Sequence, residues 1–345
     1  MKSRNLSLAL SAALAASTMI AGSTASAEDL PQTKAQQQFS VTQGFKETSL
    51  AVLQRTGNVD QKQVSQRLIE GLHPGSAYQS KQIGSRLIIS GDQWALEVTA
   101  DGSGADYQDS AVEARAHSLG KSPSQEMSAA ELEQKGRAFI AEKLSSEIAL
   151  GADEALVAVR ADYRVEGGQD AKTGETSQAV VANRIVFGRT LHGVPVVGNG
   201  SRIVITFIND GSLESFRYDW PKYQAAENQN LVDAGEILAR VQQVIVGRNG
   251  VAAATQGVSV PSGAAEAYPV ALTPNTQLQK LECGYFDAGS FGMRSLAAVQ
   301  PACMYHAVSQ DGNGSRQGYA GAVPAGAQFE PDSAWMESQL LRPRK

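Results

Sequence analysis

Histidine and cysteine are scarce: 345 residues hold 4 of the first and 2 of the second. His73, His117, His192 and His306 stand at neither HExxH nor HxH spacing, and no carboxylate accompanies them in a ligand pattern, so the sequence offers no local zinc site. A GxSxG nucleophile elbow is absent. Ser118 with Lys121 forms an SxxK and Lys172-Thr173-Gly174 a KTG, but both fall in polar loop sequence and the SDN element of penicillin-recognising enzymes is missing. Asp101-Gly102-Ser103 with Asp106, and residues 311–315, supply too few oxygen ligands in register for a calcium loop. The expectation is a non-enzymatic protein with no catalytic residue, no cofactor and no metal site.

Basic charge is also in deficit. Thirty Lys and Arg stand against 35 Asp and Glu, a net charge of −5, and the only basic cluster is Arg342, Arg344 and Lys345. This balance excludes nucleic acid and an anionic membrane as natural partners. Long hydrophobic runs are missing except over residues 6–20, where Ser11, Ser17 and Thr18 interrupt a stretch shorter than the roughly 20 residues of a membrane helix. Lys2 and Arg4 precede that stretch and Ala25-Ser26-Ala27 follows it, the pattern of a signal peptide over 1–27. The protein is therefore expected to be exported (secreted or periplasmic) and soluble, with no stable membrane insertion. In an oxidising compartment Cys283 and Cys303 pair as a disulfide, which stabilises by about 3 kcal/mol.

What is present is helix and strand patterning. Asn58 with Gln61 predicts a first helix carrying Val64, Leu68 and Leu72, and residues 86–99 predict a hairpin turning at Gly91-Asp92. Residues 101–127 are poor in large apolar side chains and read as a linker. Ser128 and Glu131 form a capping box that opens a second helix, with Leu132, Phe139, Ile140, Leu144 and Ile148 on its apolar face. Strands follow at 155–165, 179–191, 201–208 and 213–220, the last two joined by a tight turn at Asn209-Asp210-Gly211. Asp233 and Glu236 open a third helix, and short strands are expected at 277–286, 296–308 and 315–323.

The predicted fold class is α+β, antiparallel sheets each packed with one or two helices. Its divisions are a signal peptide (1–27), a small N-terminal α+β region (28–100), a linker (101–127), a central α+β domain (128–248), a linker (249–267), a disulfide-stapled β region (268–330) and a tail (331–345). Phe216, Tyr218 and Trp220 occur at every second position with Tyr223 just beyond, so they share one strand face. Such a strip either receives a peptide or sugar or forms the core face on which a helix packs. As the candidate partner surface, it is where the sequence points first.

Gly193-Val194-Pro195-Val196, Gly198, the alternating apolar run at 203–208 and Asp210-Gly211 leading to Leu213 resemble the PepSY/FTP type of domain found in propeptides of thermolysin-like metalloproteases. Arg189, Thr190 and Leu191 replace the aromatic and Gln residues usual before the glycine, and the peptidase domain is absent. The resemblance implies a secreted binding protein that inhibits, or assists the folding of, an exported peptidase or another secreted protein in trans. The alternative is a cell-envelope or matrix protein with a structural or glycan-binding role.

Overall fold

The computed structural model describes residues 37–38, 45–57, 59–121, 126–170, 172–248, 270–273, 275–291, 298–310 and 316–328. The readings made for residues 1–27, 249–267 and 331–345 lie outside these. In chain order the first elements are β1 (Gln37–Gln38), β2 (Ser49–Thr56), α1 (Gln61–Leu72), β3 (Gln79–Ile83), β4 (Arg86–Ser90), β5 (Trp94–Val98), β6 (Gly104–Asp109) and α2 (Ser110–Ala116). Next come α3 (Ala129–Lys143), β7 (Glu154–Gln169), β8 (Thr176–Leu191), β9 (Val194–Gly198), β10 (Arg202–Ile208), β11 (Leu213–Asp219), β12 (Lys222–Asn230) and α4 (Ala234–Arg248). The last are β13 (Val270–Thr273), β14 (Thr276–Asp287), β15 (Ala298–Gln310) and β16 (Arg316–Pro324).

Local chemistry sets the helix starts. The Ser128 hydroxyl accepts from the Glu131 N–H at 3.3 Å while Glu131 Oε2 accepts from the Ser128 N–H at 2.8 Å, completing the expected capping box of α3. At α4 the Glu236 N–H donates to Asp233 at 2.9 Å. The first helix differs from expectation. Asp60 caps α1 by accepting from the Lys62 N–H, and the Gln61 side chain instead donates to the carbonyls of Ser85 and Thr99, tying the helix start to the β4–β5 hairpin.

The fold class expected from the sequence is corrected. Strands hold 53% of the described residues and helices 21%, and the strands join into one large mixed sheet instead of separate sheets with helices on each. Its path runs β12-β2-β15-β14-β9-β8-β10-β11-β6-β5-β4-β3, with β7 beside β8, β13 beside β14 and β16 beside β15. Strand pairing crosses the expected divisions. β6 lies inside the stretch read as a linker, yet it hydrogen-bonds to β5 on one edge and β11 on the other. β9 pairs in parallel with β14, and β2 pairs with both β12 and β15. The described residues accordingly cluster as one unit.

Two helices cover one face of the β7–β11 part. Val64, Leu68 and Ile69 of α1 and Leu132 and Ile140 of α3 pack with Ile185, Phe187, Ile203, Ile205, Phe207 and Phe216 of the strands. The third long helix, which the sequence placed in the central α+β domain, packs on a different part of the sheet. Ile237, Leu238, Val241 and Ile245 of α4 pack with Leu278 and Tyr319 on the β13–β16 part. Cys283 and Cys303 face each other across β14 and β15, with Cα atoms 3.9 Å apart, and are joined as a disulfide.

Candidate functional site

The aromatic strip lies inside the core. Phe216, Tyr218 and Trp220 are 1%, 1% and 5% exposed, so they offer no partner surface. Phe216 stacks between Tyr107 and Tyr218, with ring centroids 5.3 and 6.2 Å away, and Phe139 of α3 packs over it at 5.7 Å. Trp220 and Tyr223 flank the buried Arg189 guanidinium at 5.0 Å from each ring, while Arg189 donates to the Pro221 carbonyl and pairs with Glu154. The physical reason for the correction is sheet parity. Residues 203, 205, 207, 216 and 218 share the face that α1 and α3 cover, so the open face belongs to the residues between them.

That open face is charged. Register places Arg160, Val186, Val204, Arg217, Asp106 and Glu97 in one row across β7, β8, β10, β11, β6 and β5. Arg160 lies 2.7 Å from Asp162, which also accepts from Arg184; Arg217 donates to Asp106 at 2.8 Å; Arg86 pairs with Glu97 at 2.8 Å. Each of these arginines has a carboxylate of its own or shares one.

At one end of the face, strands of the sheet and the segment 288–291 line a partly open cavity of about 510 Å³. Val159, Val186, Val204 and Phe291 supply apolar wall, and Arg160, Arg202, Arg217, Lys280, Asp219 and Glu282 supply charge. Arg217 lies over the Phe291 ring at 5.0 Å. Arg202 is the exception among the cations. Its Nε donates to the Gly198 carbonyl at 3.1 Å, and it makes no ion pair among the described residues. A Cβ on Gly188 would lie 2.5 Å from Arg202 Nη1, so this glycine leaves the space that the guanidinium occupies beside β8. Burial lowers the Arg202 pKa from the ordinary arginine value, against the attraction of Glu282, with the repulsion of Arg160 adding to the decrease.

Behind the cavity wall lies a buried polar network that fixes Asp219. Arg55 reaches in from β2 and donates to Asp287 at 2.6 Å and Asp219 at 3.3 Å. Asp287 also accepts from the Gly289 N–H at 2.9 Å and from the Tyr223 hydroxyl, which contacts Ser201 at 2.8 Å. Asp219 accepts from the Ser290 N–H, linking β11 to the segment that roofs the cavity. Burial pushes the Asp219 carboxyl up to about 6, with Asp287 and Asp101 adding to the rise and Arg55 and Ser290 pulling against it. Burial by itself would lower the Arg55 pKa, but Asp287 and Asp219 together raise it, so the guanidinium stays charged. Of the four residues read as a candidate surface, Tyr223 reaches this network: its hydroxyl donates to Asp287 and its ring packs over Arg189.

Sequence reasoning did not reach Arg202, Arg217, Asp219 or Arg55. A signal existed in the charged residues that alternate with apolar ones at 160, 162 and 164 and again at 217 and 219, a parity that marks a solvent-side strand face.

No family model matches the chain, and a comparison with curated proteins matches none. Among solved structures, the chain is similar to the crystal structure of an uncharacterized protein from Eubacterium rectale ATCC 33656 at 1.45 Å resolution, with 11% identity over 82% of this chain and 86% of that one and a TM-score of 0.41.

Proposed function

We propose that this is an exported, non-enzymatic binding protein whose ligand occupies the cavity between the open sheet face and the segment 288–291. The observation that carries the reading is the cavity itself. Its volume of about 510 Å³ falls within the roughly 300–1,000 Å³ of small-molecule sites, and convergent polar groups accompany its apolar wall. The walls are held in place by the Arg55–Asp219–Asp287 network, so the site is formed before a ligand arrives.

Binding is favoured over turnover by the company of the polar groups. Ser290 is the hydroxyl nearest to Asp219, but no histidine is among the residues that line the cavity to serve it as a base. Export rests on the leader-like residues 1–27 and agrees with the Cys283–Cys303 disulfide. No helix of the described residues is long and apolar enough to cross a membrane.

A thermal-shift screen of a chemically diverse small-molecule set tests this reading. Ligands that raise Tm should lose their effect in Val204→Trp, whose indole would fill the cavity from β10. Shifts that persist undiminished in that variant would place binding elsewhere.

A further inference from the structure

We infer that the cavity takes an organic monoanion with an apolar body, its anionic head on the Arg202 guanidinium. This rests on the cavity being a ligand site and specifies what the ligand must be. The ion pairs at the cavity point to the sign of the ligand charge. Four cations and two carboxylates line the cavity, but they are not free to the same degree. Arg160 is held by Asp162, Arg217 by Asp106, Lys280 by Glu282, and Asp219 by Arg55. Asp162 is shared between Arg160 and Arg184, and among the described residues Arg202 is the one lining cation that makes no ion pair, with Glu282 attracting it without pairing.

A partly buried guanidinium without a direct ion pair is costly, and a bound anion would reduce that cost by donor pairs from its two Nη atoms. A second negative charge on the ligand would meet Asp219 and Glu282 in the cavity lining, which favours a monoanion over a dianion. A cation is opposed by Arg202, which makes no ion pair among the described residues. The apolar requirement comes from the remaining wall. Val159, Val186, Val204 and Phe291 line the cavity, so a ring or short alkyl body held at Arg202 would replace water against hydrocarbon.

Benzenesulfonate is a suitable probe because it stays a monoanion across the working pH range and carries an apolar ring. The panel on the full chain adds benzamidine as the cation, benzenesulfonamide as the neutral analogue, and methanesulfonate as the anion without a ring, each measured by calorimetry and thermal shift. Benzenesulfonate should bind most tightly, with methanesulfonate weaker and benzamidine not bound. Arg202→Gln should weaken benzenesulfonate at least about tenfold, and Arg202→Lys should weaken it less. The wild-type panel decides the matter even if Arg202→Gln fails to fold. Equal or tighter binding of benzamidine or benzenesulfonamide would overturn the anion assignment while leaving the cavity as a ligand site. Undiminished benzenesulfonate binding by a folded Arg202→Gln would overturn it too. No binding by any probe, together with an empty result from the diverse small-molecule screen, would remove the cavity reading on which it rests.

Discussion

Replacing Arg55 with Gln removes the cation that holds two buried carboxylates apart. The side chains of Asp219 and Asp287 are 3% and 2% exposed, and both lie on Arg55 Nη2. Removing one partner of a buried ion pair costs about 3–5 kcal/mol, because the remaining charge has lost its compensation. Here two acids lose it, so we expect the upper half of that range above pH 7. The sign of the pH dependence follows from Asp219. Its carboxyl stands at about 6 in the folded chain against 3.8 when free, so it is a raised acid whose stabilising proton is fully present below 3.8 and lost as pH rises through 6. That interval corresponds to about 3 kcal/mol in the parent protein. At pH 5 Asp219 is largely neutral and Arg55 faces the charge of Asp287 alone; at pH 8 it faces both. The deficit of Arg55→Gln should therefore be larger at pH 8 than at pH 5. Urea denaturation at the two pH values measures it, with Arg115→Gln as the control, since its pair with Asp210 is exposed and worth under about 1 kcal/mol. A deficit under about 1 kcal/mol at pH 8, or one that is the same at both pH values, would refute the reasoning.

Other consequences are simpler to measure. Cys283→Ala with Cys303→Ala opens a cross-link between residues 20 apart in sequence and should cost about 2–4 kcal/mol in denaturant unfolding; a loss below 1 kcal/mol would mean that the strand pair holds without it. Gly136→Ala should destabilise even though alanine favours helix by about 1 kcal/mol, because its Cβ would lie 2.6 Å from Phe187 Cε2 and 2.9 Å from Ile185 Cγ2. A rise in Tm there would show that α3 is packed less closely than described. Phe216→Ala should cost about 3–5 kcal/mol as a core truncation, whereas an exposed aromatic in a partner surface would cost under about 0.5 kcal/mol.

Much of the local structure was legible because it depends on neighbours in sequence. Ser128 with Glu131, Asp233 with Glu236, and the Asn209-Asp210-Gly211 turn act within a few residues, and each does in the fold what the pattern predicts or a close equivalent. Strands β8, β10, β11, β14 and β15 carry enough apolar alternation to be placed within about three residues of their ends. The elements that escaped are those whose side chains do not announce burial. β3 is exposed at every position, β12 is polar, and β6 buries small Gly104 and Ala105 beside Tyr107, so a stretch that pairs on both edges read as a linker. Losing β6 hid the continuity of the sheet, and with it the fold class. The aromatic strip was visible, but which face was open depended on where α1 and α3 pack, and that is a tertiary fact. The cavity was out of reach for the same reason: its residues come from β7, β8, β9, β10, β11, β14 and a segment after it, and Arg55 arrives from β2.

The central claim is that the cavity beside Arg202 is where a ligand sits. The most direct measurement is the crystal structure of the protein soaked with benzenesulfonate. The expected result is the sulfonate on the Arg202 guanidinium with its ring against Val186, Val204 and Phe291. A soaked crystal that diffracts well and shows the ring bound elsewhere, or a cavity filled only by water at saturating probe, would contradict the claim.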